Sequence, residues 1–283
     1  MEIIDGKKLA EQIKDEIAKE INSLGGPRPN LAIILVGERE DSKLYVSLKE
    51  KQAKEVGIDT HLYKCPENIT EQELLDTVKF LNDDPTIDGI LIQMPLPKEI
   101  DSFKVIEALD PQKDVDGFHS VNLNKLNDQN QTEVMMPPVF SVVLEMLKNI
   151  NYSLKNKQVC IIANADIFED NLATVLEQRG ATVEVTKIED EDLLEKTTQA
   201  DILITAVGEP EYIKQHMVKE GAVIIDIGIA KNKENKTCGD VDFEDMYDIA
   251  SYVSPVPGGV GPMTIAMAFR NTMIAYKNQR KEV

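Results

Sequence analysis

The chain has no tryptophan, and only 5% of its residues are aromatic. Its core must therefore be built from aliphatic side chains. Cysteine is scarce as well. Cys65, Cys160 and Cys238 lie far apart, which excludes a disulfide framework and the paired spacings of a zinc site. His61, His119 and His216 are just as isolated, so no metal is expected. Cys160 lies inside an apolar run and is expected in the core. No apolar stretch approaches the roughly 20 residues that cross a bilayer, and the first residues do not begin a signal peptide. The expected compartment is the cytoplasm, with no membrane partner. Basic residues are outnumbered, 31 Lys and Arg against 50 Asp and Glu, for a formal charge of −19. This balance argues against nucleic acid, which needs a basic footprint. An anionic small molecule would need a locally basic or backbone-lined pocket to be held against that field.

The 283 residues suffice for two ordinary domains, and 42% hydrophobic with 29% charged residues is the composition of a globular protein. Residues 5–24 carry Leu9, Ile13, Ile17 and Ile21 on one helical stripe. The run 31–36 reads as a buried strand, followed by a helix with Asp41 or Ser42 as N-cap. A strand over 58–63 and a helix over 70–82 come next, the latter opened by Thr70 and Glu73 in capping-box spacing. An apolar run at 89–94 and a short helix at 103–109 precede 113–126, which reads as loop. Pro137-Pro138 marks the domain junction, and a helix over 141–147 follows it. Strands at 158–163, 182–186, 201–207 and 222–227 then alternate with helices at 172–179, 192–198 and 213–219. A polar hairpin or loop at 231–237, a Gly/Pro-rich run at 255–262 and a closing helix at 263–280 complete the chain. Such alternation predicts an α/β protein of two domains, each with a mainly parallel sheet flanked by helices. The second is Rossmann-like, and the active-site cleft is expected between the two.

The stretch DSKLYVSLK (41–49) organises the rest. On a helix Tyr45 and Lys49 lie one turn apart on one face, and Leu44 and Leu48 form a neighbouring row suited to anchoring the helix on the sheet. A lysine at the mouth of a strand–helix turn suits proton transfer if burial lowers its pKa. A solvated lysine beside a half-buried tyrosine is the plainer alternative. Three further segments fall where strands end, the usual ligand edge of such sheets: QMPLP (93–97), KDVDGF (113–118) and PVPGGVGPMT (255–264). Each alone has a structural explanation: Gln93 as a strand-end polar residue, Asp116 as a turn former, the glycines as a tight loop.

In this order, together with GAVIIDIGI (221–229) and GDVD (239–242), they resemble the bifunctional methylenetetrahydrofolate dehydrogenase/methenyltetrahydrofolate cyclohydrolase family over nearly the whole chain. The resemblance implies a tetrahydrofolate derivative as substrate, NADP as cofactor, no metal and a homodimer formed through the second domain. It implies Lys49 as the catalytic lysine, Gln93 as its hydrogen-bonding partner, Tyr45 as the ring against the folate benzoyl group and Asp116 as the carboxylate that holds the pterin. Ser42 lies by this site, Pro257 and Gly261 match substrate-wall positions, and Thr264 matches a position near the cofactor, where Gly208 and Gly228 also keep the family pattern. The domains implied are 1–137 with 264–283 for folate and catalysis, and 138–263 for the dinucleotide.

The dinucleotide half departs from that pattern. The family's Gly-Arg-Ser turn reads Ala163-Asn164-Ala165, and its Gly-x-Pro helix start reads Glu169-Asp170-Asn171. Lys187-Ile188, followed by Glu189-Asp190-Glu191, replaces the histidine-serine pair. Acids at a helix N-terminus repel pyrophosphate, and Asp170 could cap the helix itself. The expectation is a working cyclohydrolase with a dehydrogenase that is weak or lost and NADP poorly bound. Two alternatives stay open: a fully bifunctional enzyme with an unusual cofactor site, and a non-catalytic folate-binding or regulatory homologue.

Overall fold

An aliphatic strand buried on both faces needs partners on both edges. The structure, a computed structural model that describes residues 1–126, 134–164 and 166–281, meets this need twice. In chain order the elements are β1 (Glu2–Ile3), α1 (Gly6–Ser23), β2 (Asn30–Val36), α2 (Glu40–Val56), β3 (Asp59–Cys65), α3 (Glu71–Asp83), β4 (Gly89–Ile92), α4 (Ser102–Glu107) and α5 (Ser120–Lys125). They continue with α6 (Pro138–Asn149), β5 (Gln158–Ala163), α7 (Asp166–Glu177), β6 (Thr182–Thr186), α8 (Leu193–Gln199), β7 (Ile202–Ala206) and β8 (Val223–Asp226). The hairpin β9 (Ala230–Lys231) and β10 (Thr237–Cys238), then β11 (Tyr252–Val253) and α9 (Val260–Lys281), end the chain.

The elements divide into two units. The lysine unit comprises Glu11–Pro138 and Ile265–Val283. Its sheet is parallel in the order β3-β2-β4, with β2 buried from Leu31 to Val36. α3 packs Leu74, Val78 and Leu81 into this core. Its start is fixed by a full capping box, with Thr70 Oγ1 accepting from the Glu73 N–H and the Glu73 carboxylate accepting from the Thr70 N–H. The end of α9 is locked here too. Asp88, 1% exposed, pairs with Arg280 and accepts from the Asn30 N–H at 2.7 Å.

The Rossmann-like unit comprises Met1–Ala10 and Val139–Thr264. Its sheet runs β1-β11-β8-β7-β5-β6, parallel throughout. Met1–Ala10 therefore groups differently from the expected 1–137 domain, because Glu2 and Ile3 pair with Tyr252 and Val253. Cys160 is 1% exposed in this unit's core. Among the described residues no helix is long and apolar enough to cross a membrane.

Several expectations are corrected. Leu44 and Leu48 do not anchor α2; they are 60% and 38% exposed. The buried face is Ser42, Val46, Ala53 and Val56, about 145° round the helix from the leucine row. The N-cap is Arg39, without a side-chain cap bond, rather than Asp41 or Ser42. The segment 113–126 holds the short α5, capped by His119 Nδ1 accepting from the Val121 N–H. The segment 213–219 forms only a 3₁₀ turn, Gln215–Met217, because Ile213 exchanges backbone hydrogen bonds with Asp240 and Asp242. α7 begins at Asp166, so Asp170 lies one turn inside it and does not cap it.

Candidate active site in the lysine unit

β2 ends at Val36, and Gly37, whose φ of 77° suits glycine, turns the chain towards α2. The Asp41 carboxylate binds the Arg39 guanidinium and accepts from the Ser42 N–H at 2.9 Å. Ser42 is 3% exposed on the sheet-facing side. One row away, Tyr45 and Lys49 are half-buried. Gln93 follows β4 in the neighbouring strand position, its N–H bonded to the Ile34 carbonyl. Lys49 Nζ donates to Gln93 Oε1 at 3.0 Å, and Gln93 Nε2 donates to the Met94 carbonyl at 2.7 Å. The second bond fixes which end of the carboxamide meets the amine.

Asp116 stands on a loop held from both sides. Lys113 Nζ donates to the carbonyls of Leu81, Asn82 and Asp84 at the C-terminal end of α3. Asp114 Oδ1 accepts from the Gly117 N–H, and its Oδ2 accepts from the His119 N–H at 2.8 Å. Burial pulls the Lys49 amine below the ordinary lysine range, and the charge of Asp116 opposes this. Burial pushes Asp116 up to about 6, with Lys49 pulling it down and Asp114 pushing it up. The result is an oriented amine whose proton is held less tightly than an ordinary lysine's, with a nearby carboxylate whose charge opposes that loss.

The remaining expected residues lie in the Rossmann-like unit. Pro257 is exposed after a cis peptide bond. Gly261 is in the first turn of α9, where an added Cβ would meet no atom within 4 Å. Packing therefore does not demand a glycine there. Thr264 Oγ1 donates back to the Gly261 carbonyl at 2.7 Å. The loop before them rests on the chain start: the Lys7 N–H donates to the Gly258 carbonyl, and a Cβ on Gly6 would fall 1.9 Å from the Gly259 carbonyl oxygen.

Gly208 and Gly228 both meet the buried Asp240, although it is a φ of 77° that suits glycine at 208. The Asp240 carboxylate accepts from the N–H groups of Val207, Gly208 and Glu209 at 2.8, 2.8 and 3.0 Å, and a Cβ on Gly228 would fall 2.1 Å from its Oδ1. Asp226 is filled in the same way, accepting from the Thr205 hydroxyl and the N–H groups of Gly228, Asp240 and Val241. Burial pushes it up to about 7. Ala163 is buried at the end of β5, Asn164 Nδ2 donates to the Val207 carbonyl, and Ala165 lies outside the described residues. Glu169 is buried in the first turn of α7, and Asp170 is exposed. After β6, Asp190 accepts from the Thr186 hydroxyl and the Lys187 N–H.

A family model for the catalytic domain of tetrahydrofolate dehydrogenase/cyclohydrolase matches residues 4–116, and one for its NAD(P)-binding domain matches residues 137–280. The chain belongs to the tetrahydrofolate dehydrogenase/cyclohydrolase family. It is 46% identical to a "Bifunctional protein FolD" of Nautilia profundicola, with both chains fully covered. The crystal structure of the bifunctional FolD dehydrogenase/cyclohydrolase from Campylobacter jejuni superposes with a TM-score of 0.94 at 41% identity, covering 98% of this chain and 99% of that one. The FolD structure from Trypanosoma brucei, complexed with NADP cofactor and inhibitor, has a TM-score of 0.93 at 32% identity, covering 99% of this chain and 98% of that one.

For this family member, the resemblance paired Lys49 with Gln93, and the structure has the hydrogen bond between them. Sequence reasoning missed the two buried acids as structural hubs. An acid closing the apolar run of β8 was the available signal for Asp226, since a buried carboxylate must find donors.

Proposed function

We propose that this chain hydrolyses 5,10-methenyltetrahydrofolate to 10-formyltetrahydrofolate at Lys49. The observation that carries this reading is the Lys49–Gln93 pair under the charge of Asp116. Water bonds to the cationic methenyl carbon, and Lys49, as free base, takes the proton that the water loses. The proton of the new hydroxyl then passes to N5 as the bond from that carbon to N5 breaks with its electron pair going to N5, leaving the formyl group on N10. Gln93 holds the amine in line, Asp116 accepts hydrogen bonds from the pterin, Tyr45 stacks on the benzoyl ring and Ser42 supports the helix beneath. Pro257 and Gly261 are assigned as folate contacts, and Gly208, Gly228 and Thr264 as cofactor contacts, on family resemblance. Loss of hydrolysis in Lys49→Met, with the fold retained, is the expected result; a fully active variant overturns the assignment.

The NADP-dependent oxidation of 5,10-methylenetetrahydrofolate is weak or lost in this reading. Its support lies in the acids of the first turn of α7 and in backbone donors already bound to Asp240 and Asp190. The second reading is a fully bifunctional enzyme, favoured by the match of the NAD(P)-binding model over 137–280. Titration with NADPH, followed by nicotinamide fluorescence, separates the two. No saturation is expected; tight saturation with robust dehydrogenase turnover establishes the second reading. The same reading includes a cytoplasmic homodimer, for which light scattering should give twice the chain's 31.6 kDa.

A further inference from the structure

Asn271, midway along α9, is 4% exposed. Its single amide nitrogen bridges two loops. Nδ2 donates to the Val115 carbonyl and to the Met136 carbonyl, each at 2.8 Å. The Val115 carbonyl belongs to the peptide unit on which Asp116 is mounted. The rest of the loop is tied elsewhere: Lys113 to the end of α3, Asp114 to the backbone of Gly117 and His119. Gly117 packs so tightly on 135–137 that a Cβ would come 2.8 Å from the Met135 carbonyl oxygen. Every one of these groups lies in the lysine unit.

We propose that Asn271 is a positioning residue for Asp116, setting where that carboxylate stands beside Lys49 and so how tightly the folate ring is held. This rests on the assignment of Asp116 to the pterin above. A primary amide suits the task because one nitrogen carries two hydrogens for two carbonyls. Asn271→Asp keeps the shape and removes both donors, and Asn271→Leu takes the donor from both carbonyls, the bond at Val115 being buried and the one at Met136 part-buried. Displacement of a binding group by about 1 Å costs on the order of a hundredfold.

The test is hydrolysis of 5,10-methenyltetrahydrofolate by the full chain, with KM and kcat read separately across pH. Asn271→Leu and Asn271→Asp should raise KM roughly ten- to hundredfold with a smaller fall in kcat. The acid limb of the rate should move to lower pH, because Asp116 then supports the Lys49 ammonium less. Asn271→Ser keeps one donor in a smaller side chain and should give an intermediate KM, which guards against larger changes that fail to fold. Thr272→Val, which removes a buried hydroxyl that among the described residues bonds only to its own helix at the Ala268 carbonyl, should leave KM unchanged. Folded Asn271 variants with wild-type KM and an unmoved acid limb overturn the proposal. Calorimetric titration with tetrahydrofolate separates the two claims. A wild type that binds no folate defeats the functional reading, whereas equal binding by wild type and variants defeats only the role of Asn271.

Discussion

At the carboxyl ends of β2 and β4, Lys49 and Gln93 meet each other, and Asp116 stands near with its charge acting on the amine. At the corresponding ends of β7 and β8 in the other unit, Asp240 and Asp226 accept from their own loops through three and four donors. Both units place polar side chains where open α/β sheets bind ligands. Both also push a carboxylate upward by burial, Asp116 to about 6 and Asp226 to about 7. A perturbed pKa therefore does not by itself mark a site here. What separates the two is how the donors and acceptors are used. Asp226 and Asp240 spend their oxygens on holding loops together, whereas Lys49 is presented to a partner that only orients it.

The largest expected effect tests that contrast directly. Lys49→Met should lower hydrolysis roughly 10²–10⁴-fold while leaving the melting temperature near wild type, since a methionine also fits a half-buried site. Asp240→Ala should do the reverse. Three part-buried N–H groups lose their acceptor, at a cost of about 1–3 kcal/mol, read by urea denaturation, while the folded fraction keeps its hydrolytic KM.

Asp116→Asn comes next. The carboxylate supports the Lys49 ammonium, so its removal lowers the lysine pKa further, and the acid limb of the pH–rate profile should move to lower pH. KM should rise as the pterin loses its acceptor. In the wild type, binding should weaken as pH falls through about 6, where Asp116 takes up a proton. A limb that moves to higher pH in Asp116→Asn contradicts the electrostatic coupling.

Two smaller effects sharpen the comparison. Asp170→Asn removes an exposed charge near the start of α7; where NADPH saturates the wild type, as the second reading has it, binding should strengthen about two- to fivefold, seen by fluorescence titration. Thr70→Ala breaks the capping box of α3 and should cost about 1 kcal/mol with no change in KM or pH profile, because nothing in the Lys49 group bonds to that cap.

Much of the lysine unit is legible in the linear chain because its signals are local. Tyr45 and Lys49 share a helical row by spacing alone, and the Thr70–Glu73 cap closes as its spacing predicts. Local reading failed where two faces of one helix compete. Leu44 and Leu48 make a convincing apolar row, yet Val46, Ala53 and Val56 are the residues that meet the sheet. It failed again where a segment's backbone is claimed from afar, as at 213–219, and where strands are too short for periodicity, as in β1 and β11.

The sequence by itself determined the alternation of strands and helices and the aliphatic cores, while the candidate lysine, carboxamide and carboxylate were named by family resemblance. The alternation and the cores depend on hydrophobic period and side-chain chemistry, which are written residue by residue. Family resemblance already implied that Gln93 meets Lys49; only the tertiary structure decided which end of the carboxamide accepts from the amine, and that Asn271 on the last helix bonds to the peptide carrying Asp116. Such long-range contacts arise from the order of strands in the sheet and the return of α9 onto the lysine unit, neither of which leaves a local mark in the chain.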